Sequence, residues 1–271
     1  MTDHHTLELR GQRIESWTAG PPDGPLVTCT HGLSMDHRMF DRQTGPLTAA
    51  GYRVLVWDLP GHGASKPLRG RFSVGTAAGC LADLITALGH RQSILVGHSL
   101  GGFVSQELLH ERPGMVRALV VVGNNSLTTP LPLHQRLALR LSPLLFLLRG
   151  DSWRRKVVSR ETAATPEARE YAYDATSRMR KREFVSAWAG MSRCLRPEPD
   201  YRIPCPFLLT LGEHDETGTV ADDPRRWAER EPDSDFAVIP GAGHNANQDN
   251  PDFFNRLLLD FLTERTGPAR V

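Results

Sequence analysis

Apolar and polar positions alternate along this chain in two rhythms. Short apolar runs recur at Leu26–Thr30 and at 53–58, 93–96 and 117–122. Near-continuous runs of this length read as strands covered on both faces. Residues 13–18 instead alternate polar and apolar, as an early antiparallel strand does. Helical spacing occupies the intervals at 40–50, 73–88 and 99–111. The rhythm then changes. Residues 126–200 show no strand pattern and read as helices broken by Pro130, Pro132, Pro143 and Pro166. Strand patterns return at 207–211 and 236–239. A final amphipathic helix is expected over 251–263, with Phe253, Phe254, Leu257, Leu258 and Phe261 on one face. The alternation predicts an α/β fold, a mostly parallel central sheet with helices on both faces. The core would be supplied by 1–125 and 201–271, with 126–200 as a helical cap insertion.

Composition narrows the setting. A chain of 271 residues suits one large α/β domain with an insertion, or two small domains. Its net charge of +1 argues against a strongly charged partner such as nucleic acid. The charge is uneven: 126–200 carries fourteen Lys/Arg against eight Asp/Glu, a net of +6, which leaves the remainder at −5. That excess reads as a solvated helical face. The sharper reading is a lid over a site that prefers acidic substrates. Cys29, Cys80, Cys194 and Cys205 have no C-x-x-C spacing and read as unpaired structural thiols in a reducing compartment, not as a zinc site. The polar start at Met1-Thr2-Asp3-His4-His5 lacks the apolar core of a signal peptide. The longest apolar stretch, 141–148, is interrupted by Ser142 and Pro143 and falls far short of the roughly 20 residues needed to span a bilayer. The expectation is a cytoplasmic monomer or homodimer acting on a small molecule, with no membrane or nucleic-acid partner.

The chemistry concentrates in loops after strands. Gly97-His98-Ser99-Leu100-Gly101 reads G-x-S-x-G between a strand and a helix, a sharp turn that lifts a serine hydroxyl out of the sheet. Such a hydroxyl is a poor nucleophile alone, so a base and an acid are expected downstream. His31-Gly32-Leu33-Ser34 follows an earlier strand. There the Leu33 N–H can join the Leu100 N–H as an oxyanion donor. Asp58 and His62, in Asp58-Leu59-Pro60-Gly61-His62-Gly63-Ala64-Ser65, read as structural. Glu213, Asp215 and Glu216 compete for the acid after the next-to-last strand. His244, in the glycine-rich turn Pro240-Gly241-Ala242-Gly243-His244-Asn245, is the base candidate.

The order Ser99, Asp215, His244 resembles that of the α/β-hydrolase superfamily, in its serine-nucleophile branch. The resemblance extends to His31-Gly32, to the 58–65 loop, to the G-x-x-D of Gly212 to Asp215, and to Gly243-His244 followed by Asp249-Asn250-Pro251. It covers almost the whole chain and selects Asp215 over Glu213 and Glu216. It implies acyl transfer to water on an ester, thioester or lactone, with no metal or organic cofactor. Members with an aspartate nucleophile are excluded by Ser99. Carbon–carbon bond hydrolases of the family usually carry a glycine- and proline-rich oxyanion loop, and its haloperoxidases and perhydrolases often a proline there, whereas this loop reads Leu33-Ser34-Met35-Asp36. A receptor that keeps its triad would look the same. Leu127, Leu131, Leu133, Leu144, Phe146 and Trp188 are candidate pocket residues, and Asn124, Asn125 and Asn245 candidate polar contacts.

Overall fold

The computed structural model describes residues 3–217 and 224–267. Strands β1 (Asp3–Leu9), β2 (Gln12–Ala19) and β3 (Leu26–Thr30) precede helix α1 (Asp41–Ala49). Then come β4 (Arg53–Trp57), α2 (Val74–Ala87), β5 (Ser93–His98), α3 (Leu100–Glu111) and β6 (Val116–Val122). Helices α4 (Leu133–Leu141), α5 (Pro143–Leu148), α6 (Asp151–Thr162), α7 (Pro166–Arg178) and α8 (Lys181–Met191) follow without a strand. The chain closes with β7 (Phe207–Gly212), α9 (Pro224–Arg230), β8 (Ser234–Ile239), α10 (Ala246–Asp249) and α11 (Pro251–Thr266).

The strands form one sheet in the order β1-β2-β4-β3-β5-β6-β7-β8. β1 and β2 pair antiparallel, as do β2 and β4, and the rest is parallel. The central strands are buried on both faces because their side chains alternate between two cores. In β5, Leu95 joins the core under α2 and α3, with Leu81, Val104 and Leu108. Its neighbours Ile94 and Val96 join the opposite core under α1 and α11, with Leu47, Phe254 and Leu258. Truncating any of these buried leucines to Ala would cost about 2–5 kcal/mol.

β3 lies between β4 and β5, so the strand order reverses there. Such a reversal opens a crevice at the carboxyl ends of the strands. The loops after β3, β5, β6, β7 and β8 all leave at that edge. The helices α4 to α8 are inserted in the connection from β6 to β7. The insertion's prolines start helices as well as stopping them: Pro143 and Pro166 open α5 and α7, where a missing N–H costs nothing. Inside it, the buried Arg154 donates to Thr176 O and Met179 O and lies over the Phe184 ring. Hydrogen bonds tie the insertion to the rest of the fold, these among them. Tyr171 O–H donates to Asp36 O at 3.0 Å. Ser34 Oγ meets Thr176 Oγ1 at 2.9 Å. Asp249 accepts from Ala164 N and Thr165 N at 2.9 and 2.8 Å.

Candidate active site

The turn from β5 into α3 puts Ser99 at φ 48°, ψ −115°. That left-handed backbone costs a non-glycine residue of order 1–3 kcal/mol and persists only where the surroundings impose it. Here they do. The Ser99 N–H donates to Val122 O, and its carbonyl accepts from Gly102 N, Phe103 N and Asn124 Nδ2. The turn also needs close approach, since a Cβ on Gly101 would fall 2.1 Å from Thr30 O. Leu100 is the first residue of α3, so its N–H lies among those a helix start leaves without an intrahelical acceptor. The Met35 N–H donates to Gly32 O, folding 32–35 into a turn that brings Leu33 to the same cavity as Ser99.

His244 arrives from the turn after β8. Its Nδ1 lies 2.9 Å from Asp215 Oδ2. With Nδ1–H given to the carboxylate, Nε2 is the ring nitrogen left to handle a proton. Burial alone would raise the Asp215 carboxyl, but the charge and hydrogen bond of His244, helped by Thr217, hold it well below the ordinary carboxylate range. Of the three competing acids, Asp215 is the one bonded to His244. Glu213 instead accepts from Gly241 N at 2.8 Å, and Glu216 is exposed. Asp249 clamps the turn by accepting from Gly243 N at 2.9 Å while holding the insertion. His98 donates from Nε2 to His244 O at 3.0 Å. Its burial, together with the neighbouring His244, keeps it neutral far below the usual imidazole range.

Ser99, His244, Asp215 and Leu33 line one cavity of about 570 Å³, within the range of small-molecule sites. Its walls combine the sheet edge with the inner side of the insertion, including Leu131, Leu139, Phe146, Phe184 and Trp188. Phe146 packs on Phe184 and Trp188 at 5.0 and 4.8 Å between ring centroids.

A model of the alpha/beta hydrolase family matches residues 26–257, most of the chain. The chain belongs to that family. A Stutzerimonas stutzeri protein named as a putative carbamate hydrolase is 28% identical to this hydrolase over 261 residues, 91% of this chain and 94% of the relative. A 2-hydroxy-6-oxononadienedioate/2-hydroxy-6-oxononatrienedioate hydrolase from Pseudomonas is 27% identical over 235 residues, 82% and 81% of the two chains. Among solved structures, a thermophilic esterase from Thermogutta terrifontis superposes with a TM-score of 0.84 at 21% identity, over 97% of this chain and 98% of that one. An enol-lactonase from Burkholderia xenovorans LB400 gives 0.80 at 21%, over 96% and 100%. At that identity the two structures speak for the fold alone.

The hydrolase departs from the sequence reading in three places. The basic excess of the insertion does not face the cavity. Among the described residues lining it there is no Lys or Arg, while Glu161 and Glu216 are present with Asp215. The expectation of a preference for acidic substrates is corrected accordingly. Of the apolar candidates, Leu131, Phe146 and Trp188 line the cavity. Leu133 and Leu144 are exposed outside it, and Leu127 is buried but does not line it. Asn124 and Asn125 line the cavity, whereas Asn245 is buried and its N–H donates to Thr162 O. Sequence reasoning missed Thr217, whose Oγ1 stands 2.6 Å from Asp215 Oδ1 and 2.5 Å from His244 Nδ1. Its O–H donates to the carboxylate, and its oxygen shares the one His244 Nδ1–H with Asp215 as a second acceptor. A hydroxyl two residues past a candidate acid was the available signal.

The structural reading of the 58–65 loop fits what the fold does with it. Asp58 is fully buried and accepts from the backbone of His37 and Ala64 at 2.7 and 2.6 Å. His62 is buried against Pro60 O, and burial pushes it down to about 3. All four cysteines are free, and burial pushes each thiol up.

Proposed function

We propose that this hydrolase cleaves a carboxylic ester, thioester or lactone through an acyl-enzyme on Ser99, with 126–200 as a cap over the site. His244 Nε2 takes the hydroxyl proton as Ser99 Oγ attacks the carbonyl carbon. Asp215 and Thr217 hold the imidazole and stabilise its charged form. The Leu33 and Leu100 N–H groups receive the developing oxyanion. The leaving group departs with the proton from His244. Water then attacks the acyl carbon, with His244 again as base, and frees the acid. The observation that carries this reading is the convergence of a strained Ser99 and a bonded His244–Asp215 pair on one apolar cavity.

The walls suggest the substrate class. A lining that is apolar and, among the described residues, carries carboxylates but no Lys or Arg favours uncharged, apolar acyl groups. A dianionic substrate such as the one named for the Pseudomonas relative would enter without a counter-charge, so ester-type chemistry is preferred to that carbon–carbon cleavage. The test is a panel of neutral p-nitrophenyl esters, thioesters and lactones beside their ω-carboxylate analogues, with Ser99→Ala as control. Turnover of neutral members that is lost in the control is expected. Equal turnover by the control, or preference for the carboxylates, would overturn the reading.

A further inference from the structure

The outer side of the insertion carries a second feature that catalysis does not use. Helix α4 exposes Leu133, Leu137 and Leu141, spaced by four so that they share one face. The next helix, α5, follows after Ser142 and exposes Leu144, Leu145 and Leu148. Leu133 is 70% and Leu148 84% exposed, although a buried leucine is the rule. Contiguous exposed apolar surface of this kind marks a place where something binds.

Charge says what. From residue 112 to 150 the chain contains no Asp or Glu, yet Arg136, Arg140 and Arg149 punctuate the same helices. A short helix with leucines on one side and arginines beside them lies in a lipid interface, apolar side down, with the cations on anionic headgroups. A symmetric pair of copies would set this face against itself, with arginines on both sides and no acid on either α4 or α5. The inner side of the same two helices contributes Leu139 and Phe146 to the cavity. Among the described residues no helix is long and apolar enough to cross a membrane.

We propose that the α4–α5 face docks on an anionic lipid surface, laying the outer wall of the cavity on the bilayer. This revises the expectation of no membrane partner. The inference does not depend on the triad, and its test uses Ser99→Ala protein so that turnover plays no part.

The experiment is flotation of the full chain with phosphatidylcholine vesicles and with vesicles of equal parts phosphatidylcholine and phosphatidylglycerol. Binding to the anionic vesicles, weakened by added salt, is expected. Leu137→Ser with Leu148→Ser should abolish it. Arg136→Gln, Arg140→Gln and Arg149→Gln should each weaken it about five-fold, since a cation near such a surface contributes a small, additive attraction. Both leucines are exposed, so these variants keep the fold, which thermal melting checks. Protein that stays unbound with both vesicles, or leucine variants that bind as well as the parent, would overturn the proposal. So would lipid-free self-association in light scattering that the same leucine changes abolish, since the face would then belong to a contact between copies.

Discussion

Gly123 offers a direct test of how finely the His244–Asp215 pair is placed. It sits after β6 at φ +57°, and its Cα faces the pair. A Cβ there would fall 2.9 Å from His244 Nδ1 and 3.1 Å from Asp215 Oδ2, where ordinary contact begins at 3.4 Å. Gly123→Ala therefore pushes imidazole and carboxylate away by about half an ångström. A misplacement approaching 1 Å costs a catalytic array about 100-fold, so kcat/KM on a neutral ester should fall roughly 10- to 100-fold. The substitution also places alanine in left-handed backbone, at about 1–2 kcal/mol. Gly89→Ala separates the two effects. Gly89, just past the end of α2 and not among the cavity residues, has φ +83°, and an alanine methyl there would meet nothing within 4 Å. Both variants should lose a few degrees of Tm, and only Gly123→Ala should lose activity. Melting curves and ester kinetics on the two proteins decide it. Parental activity in Gly123→Ala, or an equal loss in Gly89→Ala, would refute the argument.

Other consequences follow from the same geometry. Ser99→Gly removes the strain at φ 48° and should raise Tm by about 2–4 °C while abolishing turnover, measured by melting and ester assay. Thr217→Val removes the hydroxyl between Asp215 and His244 and should lower kcat about ten-fold with KM little changed, while Thr217→Ser should restore it. Burial lowers His31, His62 and His98. Below about pH 6.5 the unfolded chain takes up protons that these folded imidazoles refuse, so stability is full above that pH and falls as acid is added, by up to about 1.4 kcal/mol per pH unit for each. Urea midpoints from pH 7 to pH 5 should show this, and His62→Gln should flatten the slope. An unchanged midpoint would contradict the neutral buried histidines.

What the sequence could and could not reveal follows from the physics of each element. The parallel strands β3 to β7 were legible because burial on both faces demands unbroken apolar runs. The edge strand β1 was not. Its first four residues, Asp3, His4, His5 and Thr6, are polar, so only Leu7 and Leu9 give it an apolar side, and pairing with β2 and polar contacts such as His4 with Glu15 at 2.7 Å hold the rest. Helix α9 was also invisible, because a seven-residue helix anchored on Trp227 and Ala228 has too few turns to show a period. The order of Ser99, Asp215 and His244 was readable, since each follows a strand at the same sheet edge. In the insertion, leucine at nearly every other position of α4 and α5 blurred the face. Leu131 and Phe146 could not be told from Leu133 and Leu144 until the helices were packed. The net charge of 126–200 likewise supplied a sum but no direction. Arg154 is spent inside the insertion on the carbonyls of Thr176 and Met179, and none of the fourteen cations lines the cavity.

The central claim is that Ser99 carries the acyl group. It is tested most directly by reacting the folded protein with a fluorophosphonate and mapping the adduct by mass spectrometry in the tryptic segment 92–117, which runs past Arg112 because Pro113 blocks cleavage there. A single adduct on Ser99 is expected, absent from Ser99→Ala and strongly slowed in His244→Ala. An adduct on another residue, or labelling that survives Ser99→Ala, would contradict it.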